Sequence, residues 1–127
     1  MLTGNSQSGR IWLIGGTSES AEIAKAIASD CFPCTITVTT ATAKSLYPKT
    51  SLFKIVVGRM DVSQILAFLQ QEQITAVVDA SHPYAVAISQ NAIAATTQLN
   101  LPYLRYERPT IQEDEDTTVI KLESFEA

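Results

Sequence analysis

The chain has 127 residues, a formal net charge of −4, and 46% hydrophobic against 17% charged residues. A domain of that size buries roughly two-thirds of the surface its unfolded chain exposes, and needs neither metal nor disulfide to hold together. The acidic balance excludes a general nucleic-acid binder, which carries a basic face, and no apolar run approaches the ~20 residues that span a bilayer.

Residues 1–9 are polar, contain Ser and Gly, and lack the apolar core of a secretion signal. They read as a loose tail ahead of one domain over 10–127, with the cytoplasm as the expected location. Arg10-Ile-Trp-Leu-Ile14 is a short apolar run ended by Gly15-Gly16, which predicts a buried strand. Thr17 or Ser18 is placed to cap a helix in which Ile23, Ala24, Ala26 and Ile27 recur at helical spacing to about Ser29. The β-branched run from Thr35 to Thr40 predicts a second strand, followed by a loop over 41–51 that contains Pro48. Phe53 to Val57 predicts a third strand, ended by Gly58.

Asp61 then caps a helix with Ile65, Leu66, Phe68 and Leu69 on one face, and Ile74 to Asp79 predicts a fourth strand. A helix from about Tyr84 to Leu99 follows Ser81-His82-Pro83, and Leu101 to Tyr106 predicts a fifth strand. Glu113 to Asp116 reads as a solvated charge run, and Thr117 to Leu122 is a candidate sixth strand. Strands alternating with helices imply parallel pairing with right-handed crossovers. The predicted fold is therefore α/β: a Rossmann-like, doubly wound, mostly parallel sheet of five or six strands.

Cys31 and Cys34 form a C-x-x-C pair. A redox-active pair of this spacing opens a helix, whose dipole lowers the first thiol's pKa. Here the pair follows a helix and leads into a strand, which argues against a redox centre. Zinc is disfavoured too, because there is no second cysteine pair and only one histidine.

Ligands of open parallel sheets bind beyond the carboxyl ends of the strands, and the unusual residues of this chain collect at those ends. Gly15 and Gly16 permit a tight turn and close approach of backbone to a pyrophosphate. Thr17 and Ser18 add hydroxyls, and the helix behind them presents free N–H groups and a positive dipole end. The third glycine of the full dinucleotide fingerprint is replaced by Ser20 or Ala21, so a tight turn without ligand stays open as a reading. The second strand ends in Thr39-Thr40-Ala41-Thr42 and then Lys44, without the acidic residue that favours NAD. Nothing there repels a 2′-phosphate, and Thr40 or Lys44 can bind one, which leans toward NADPH.

His82, fixed by Pro83 and followed by Tyr84, stands at the mouth of this site and suits proton donation or substrate orientation. Arg59, Arg105 and Arg108 also lie at strand ends, where guanidinium groups match carboxylates and phosphates, though each alone also fits a surface ion pair. A short-chain dehydrogenase is disfavoured, since Ile88 stands where its Tyr-x-x-x-Lys pair needs lysine, and a methyltransferase would want an acidic end to the second strand. A non-catalytic nucleotide-binding or protein-interaction domain remains the alternative, with the His82 segment structural and the arginines surface charges.

Ile14-Gly-Gly-Thr-Ser-Glu19, Gly58-Arg-Met-Asp61, Val78-Asp-Ala-Ser-His-Pro-Tyr-Ala85 and Pro102-Tyr-Leu-Arg-Tyr-Glu-Arg-Pro109 occur in that order. Together they resemble the precorrin-6A reductases of cobalamin biosynthesis, over about Ile11 to Pro109. The segment around His82 is the most specific of the four, and the glycine turn is the least. The resemblance implies hydride transfer from NADPH to a double bond of the tetrapyrrole precorrin-6A, or of its cobalt form, with no resident metal. It implies that Gly15, Gly16, Thr17 and Glu19 border the cofactor phosphates and ribose, with Thr40 near the adenosine end; Ser18 and Lys44 join them as cofactor contacts on the reading of the turn and of the second strand's end. His82 and Tyr84 are implied as catalytic residues, and Arg59, Ser81, Arg105 and Arg108 as substrate contacts in the cleft. Family members are about twice as long and have a second α/β domain, so this chain matches their N-terminal half.

Overall fold

The computed structural model describes residues 9–106. Arg108, the candidate sixth strand and nearly all of the N-terminal tail lie outside the described residues. In chain order the elements are β1 (Ile11–Ile14), α1 (Ser18–Ser29), β2 (Cys34–Val38), a 3-10 helix (Ala41–Leu46), β3 (Phe53–Val57), α2 (Val62–Gln71), β4 (Ala76–Asp79), α3 (Val86–Leu99) and β5 (Tyr103–Arg105). The strands form one sheet in the order β3-β2-β1-β4-β5, with every neighbouring pair parallel.

The alternation of side chains along β1 divides the core between the two faces of the sheet. Leu13 points to the face covered by α1, where it packs with Ala24, Ile27, Ile36 and Val38. Trp12 and Ile14 point the other way, toward Ile65 and Leu69 of α2 and Ala92 and Ala95 of α3. Trp12 is fully buried; its indole N–H donates to Thr37 Oγ1 at 2.9 Å, and its ring meets Phe68 edge to face at 5.1 Å. The hydrogen bond removes the cost of burying a polar indole nitrogen inside an otherwise apolar layer.

Helix starts follow the capping chemistry of the sequence. Thr17 caps α1 and Asp61 caps α2, each in a reciprocal box with the third helical residue, Ser20 and Gln64. The α3 helix begins at Val86, two residues later than the spacing suggests, because Ala85 N–H closes a turn on the His82 carbonyl at 2.8 Å. It ends at Asn100, whose left-handed φ of 61° suits asparagine better than most residues. β2 is shorter than its β-branched run. Its pairing with β3 stops at Val38 opposite Val57, and Thr39 and Thr40 bend away into the 3-10 helix. Cys31 is exposed while Cys34 is buried in β2, where burial pushes its thiol up to about 12.

Candidate functional site at the switch point of the sheet

The strand order reverses between β1 and β4, since one continues through β2 and β3 and the other through β5. Loops leaving these two strands diverge to opposite faces and leave a crevice between them. A cavity of about 620 Å³ occupies that crevice. It is lined by Gly15 and Gly16 after β1, Thr39 after β2, Gly58 to Asp61 after β3, and Ser81, His82 and Tyr84 after β4. Thr17 Oγ1 donates to the Ala80 carbonyl at 2.8 Å and so ties the loop after β1 to the loop after β4.

The glycine turn has two different demands for glycine. Gly16 adopts φ of +107°, which disfavours a side chain, and the space where a Cβ would project is open. At Gly15 the constraint is contact: a Cβ would stand 2.4 Å from Tyr47 Oη and 3.2 Å from Ile36 Cγ2. Gly15 thus makes room for the core on the α1 side, and Gly16 leaves open space beside the turn, as close approach of a phosphate-bearing group requires.

The loop after β4 is held by one buried carboxylate. Asp79 is 0% exposed. Its Oδ1 accepts from Ser81 N–H at 3.0 Å and Ser81 Oγ at 2.7 Å, and pairs with Arg105 Nη1 at 3.0 Å. Its Oδ2 accepts from Ser89 Oγ at 2.6 Å and from the Tyr103 hydroxyl. Burial pushes the Asp79 carboxyl up, but the hydroxyls of Ser81, Ser89 and Tyr103 and the Ser81 amide outweigh it and hold the pKa below the usual carboxylate range. The Tyr103 hydroxyl moves the other way, raised by burial and by its bond to the Asp79 carboxylate. Arg105 also donates to Ser81 Oγ at 3.1 Å. The arrangement joins β4, α3 and β5 directly beneath His82.

His82 and Tyr84 are exposed, Tyr84 at 88%, with ring centroids 4.9 Å apart. His82 Nδ1 accepts the Tyr84 backbone N–H at 3.1 Å, so in the neutral ring Nε2 carries the proton and is the donor available to a ligand. Val86, also exposed, extends the apolar surface beside Tyr84 along the same cavity.

Of the residues singled out in the sequence, Gly15, Gly16, Arg59, Ser81, His82 and Tyr84 line this one cavity. Thr17 is the cap behind the turn, and Ser18 and Glu19 form the first turn of α1. Thr40 is exposed at the start of the 3-10 helix, and it is Thr39 that lines the cavity. Lys44 faces a second cavity of about 540 Å³, which it shares with Lys49 and Tyr47. Arg105 is engaged with Asp79 beneath the site. Among the described residues no group of three or more His, Cys, Asp or Glu is arranged to hold a metal, and no helix is long and apolar enough to cross a membrane. Asp79, Ser89, Tyr103 and Tyr47 were not among the residues singled out. A buried acid ending a strand just before Ser-His-Pro was the available signal for the first of them.

A five-stranded parallel sheet wound on both faces, with a glycine turn and a cavity at its switch point, defines a Rossmann-like α/β domain. Residues 10–127 match the family described as precorrin-6x reductase CbiJ/CobK, and the chain belongs to that family. It is 39% identical over 101 residues to a cobalt-precorrin-6A reductase of Synechocystis sp., covering 80% of this chain and 39% of that protein. It is 33% identical over 119 residues to a precorrin-6A reductase of Mycobacterium tuberculosis, covering 93% of this chain and 46% of that protein. Among solved structures, CobK precorrin-6A reductase superposes with a TM-score of 0.70 at 27% identity, over 84% of this chain and 42% of that one. The chain thus spans less than half the length of these relatives.

Proposed function

We propose that this chain forms the NADPH-binding part of a reductase acting on precorrin-6A or cobalt-precorrin-6A, in the cytoplasm. The observation that carries this reading is the switch-point cavity, which gathers the glycine turn and the His82 segment in a chain of this family. The turn suits the cofactor's pyrophosphate, because Gly16 leaves open space where a side chain would project and the α1 N-terminus lies directly behind it. The end of β2 offers Thr39 and Thr40 and no carboxylate, and Arg59 adds a cation to the cavity wall. That combination accommodates a 2′-phosphate and favours NADPH over NADH.

NADPH would supply the hydride to the macrocycle. The chain's own residues bind and orient. His82 Nε2 presents a proton donor at the rim, and Tyr84 with Val86 gives a flat apolar surface against which a conjugated macrocycle can lie. Arg59 suits one of the substrate's carboxylate arms. Arg108 would add a second such contact. Arg105 and Ser81 act from beneath, through Asp79, by holding the loop that carries His82. The part of the relatives that this chain does not span would close the cleft and exclude water from the reacting atoms.

Calorimetric titration of the chain with NADPH, and with NADH as the control, tests the cofactor assignment. Tighter binding of NADPH is expected; binding of neither nucleotide would overturn the placement of the cofactor on this domain.

A further inference from the structure

Tyr47 follows the 3-10 helix directly, is 4% exposed, and belongs to the core layer beneath α1. Its Oη accepts the Gly16 N–H at 2.7 Å and lies 2.8 Å from Ser20 Oγ. Ser20 Oγ donates to the Thr17 carbonyl at 2.6 Å and accepts the Thr17 N–H at 3.1 Å. A hydroxyl has one proton, and that of Ser20 is committed to the carbonyl, so Tyr47 is the donor in its bond to Ser20. The hydrogen bonds therefore run one way, from Gly16 N–H to Tyr47, from Tyr47 to Ser20, and from Ser20 to the Thr17 carbonyl. One tyrosine hydroxyl satisfies an amide of the glycine turn and also orients the serine of the α1 capping box. The turn is packed around that hydroxyl, since the 2.4 Å gap at Gly15 excludes any Cβ.

We infer that Tyr47 is a positioning residue for the cofactor. It sets the backbone of the Gly15–Thr17 turn so that the α1 N-terminus meets the pyrophosphate, and it does so from behind, being absent from the residues that line the 620 Å³ cavity. The Gly16 N–H is accordingly spent on Tyr47, and the pyrophosphate is held by the helix N-terminus beyond it. This inference rests on the reading that the turn holds a dinucleotide.

The test compares the chain with its Tyr47→Phe variant, titrated with NADPH and with adenosine 2′-monophosphate, which lacks the pyrophosphate. Loss of the hydroxyl that holds the Gly16 amide is expected to weaken NADPH about fivefold to thirtyfold. Affinity for adenosine 2′-monophosphate should stay within about twofold, because the Tyr47 hydroxyl bonds to Gly16 and Ser20 in the pyrophosphate turn and Tyr47→Phe keeps the ring. Equal weakening of both ligands would mark a general loosening and overturn the inference. Unchanged NADPH affinity in Tyr47→Phe, with the wild-type chain binding NADPH, would overturn it while leaving the cofactor assignment standing. Failure of the wild-type chain to bind NADPH would overturn both. Should Tyr47→Phe not fold, Ser20→Ala makes the same comparison, since it removes the partner that holds the Tyr47 hydroxyl beside the Gly16 amide.

Discussion

Arg105 Nη1 lies 3.0 Å from Asp79 Oδ1, joining the last residue of β5 to the last residue of β4 across a register that places the two side by side. Asp79 has no exposed surface and Arg105 keeps about a fifth of its side chain exposed (21%). Removing one member of a buried charged pair leaves the other desolvated without compensation. Asp79→Ala is therefore expected to cost about 3–5 kcal/mol in urea unfolding. Arg105→Ala should cost less, about 1–3 kcal/mol, because the Ser81, Ser89 and Tyr103 hydroxyls continue to satisfy the carboxylate.

The same carboxylate makes stability pH-dependent. The folded pKa of Asp79 is held below its ordinary value, so the unfolded chain takes up a proton more readily. Its contribution is fully present above the unfolded pKa, about 4, and is lost as the pH falls through that value toward the folded pKa. Urea midpoints measured from pH 6 to pH 3 should fall in the wild-type chain. They should fall less steeply in Asp79→Asn, which has no carboxylate to protonate at this position.

Thr37→Val removes the acceptor of the Trp12 indole N–H while preserving the shape of the side chain. The indole nitrogen is fully buried, so a loss of about 1–3 kcal/mol is expected, read by thermal unfolding. Trp12→Ala empties the centre of the α2–α3 layer and should cost about 3–5 kcal/mol.

His82→Ala should behave in the opposite way. Its ring is exposed and makes one local bond, to the Tyr84 amide, so the melting temperature of the chain should stay nearly unchanged. On the function proposed above, the same substitution in a reductase spanning the relatives' whole length should lower turnover on precorrin-6A by about a hundredfold to ten-thousandfold, the range expected for a lost proton donor. Unchanged turnover would remove His82 from the chemistry.

Cys31 is exposed and Cys34 is buried with its thiol pushed up to about 12. Iodoacetamide should therefore modify one thiol per folded chain, as counted by mass spectrometry, and two in denaturant. Rapid modification of both thiols in the folded chain would contradict the buried position of Cys34.

The elements were legible because their signals are local. Thr17 and Asp61 announce α1 and α2 by capping, and the β-branched or apolar runs at 11–14, 34–38 and 53–57 announce strands. Strand ends slipped by one or two residues, as at Val38, where pairing with β3 rather than side-chain type decides where the strand stops. The gathering of Gly15, Arg59, His82 and Tyr84 was legible as well, because one rule about parallel sheets places all the strand ends on one edge. The supports of the site were not. Asp79 draws Ser89 and Tyr103 from 10 and 24 residues away, and Tyr47 reaches Gly16 from 31 residues away. No local spacing encodes such partners. Arg105 shows the same limit: its type suggests an anion-binding arm, and only the packed structure shows its link to Asp79.

The place of β1 in the middle of the sheet has a consequence for biosynthesis. Its partner on one side, β2, follows soon after it, but its partner on the other side, β4, emerges much later. The bond between Arg10 and Thr75 at the start of that pairing spans 65 residues. A nascent chain therefore carries β1 with one bare hydrogen-bonding edge until β4 has left the ribosome, a stretch during which strand edges invite pairing with other chains. The Ile-Trp-Leu-Ile segment of β1 is thus the part of this protein that most needs shelter during synthesis.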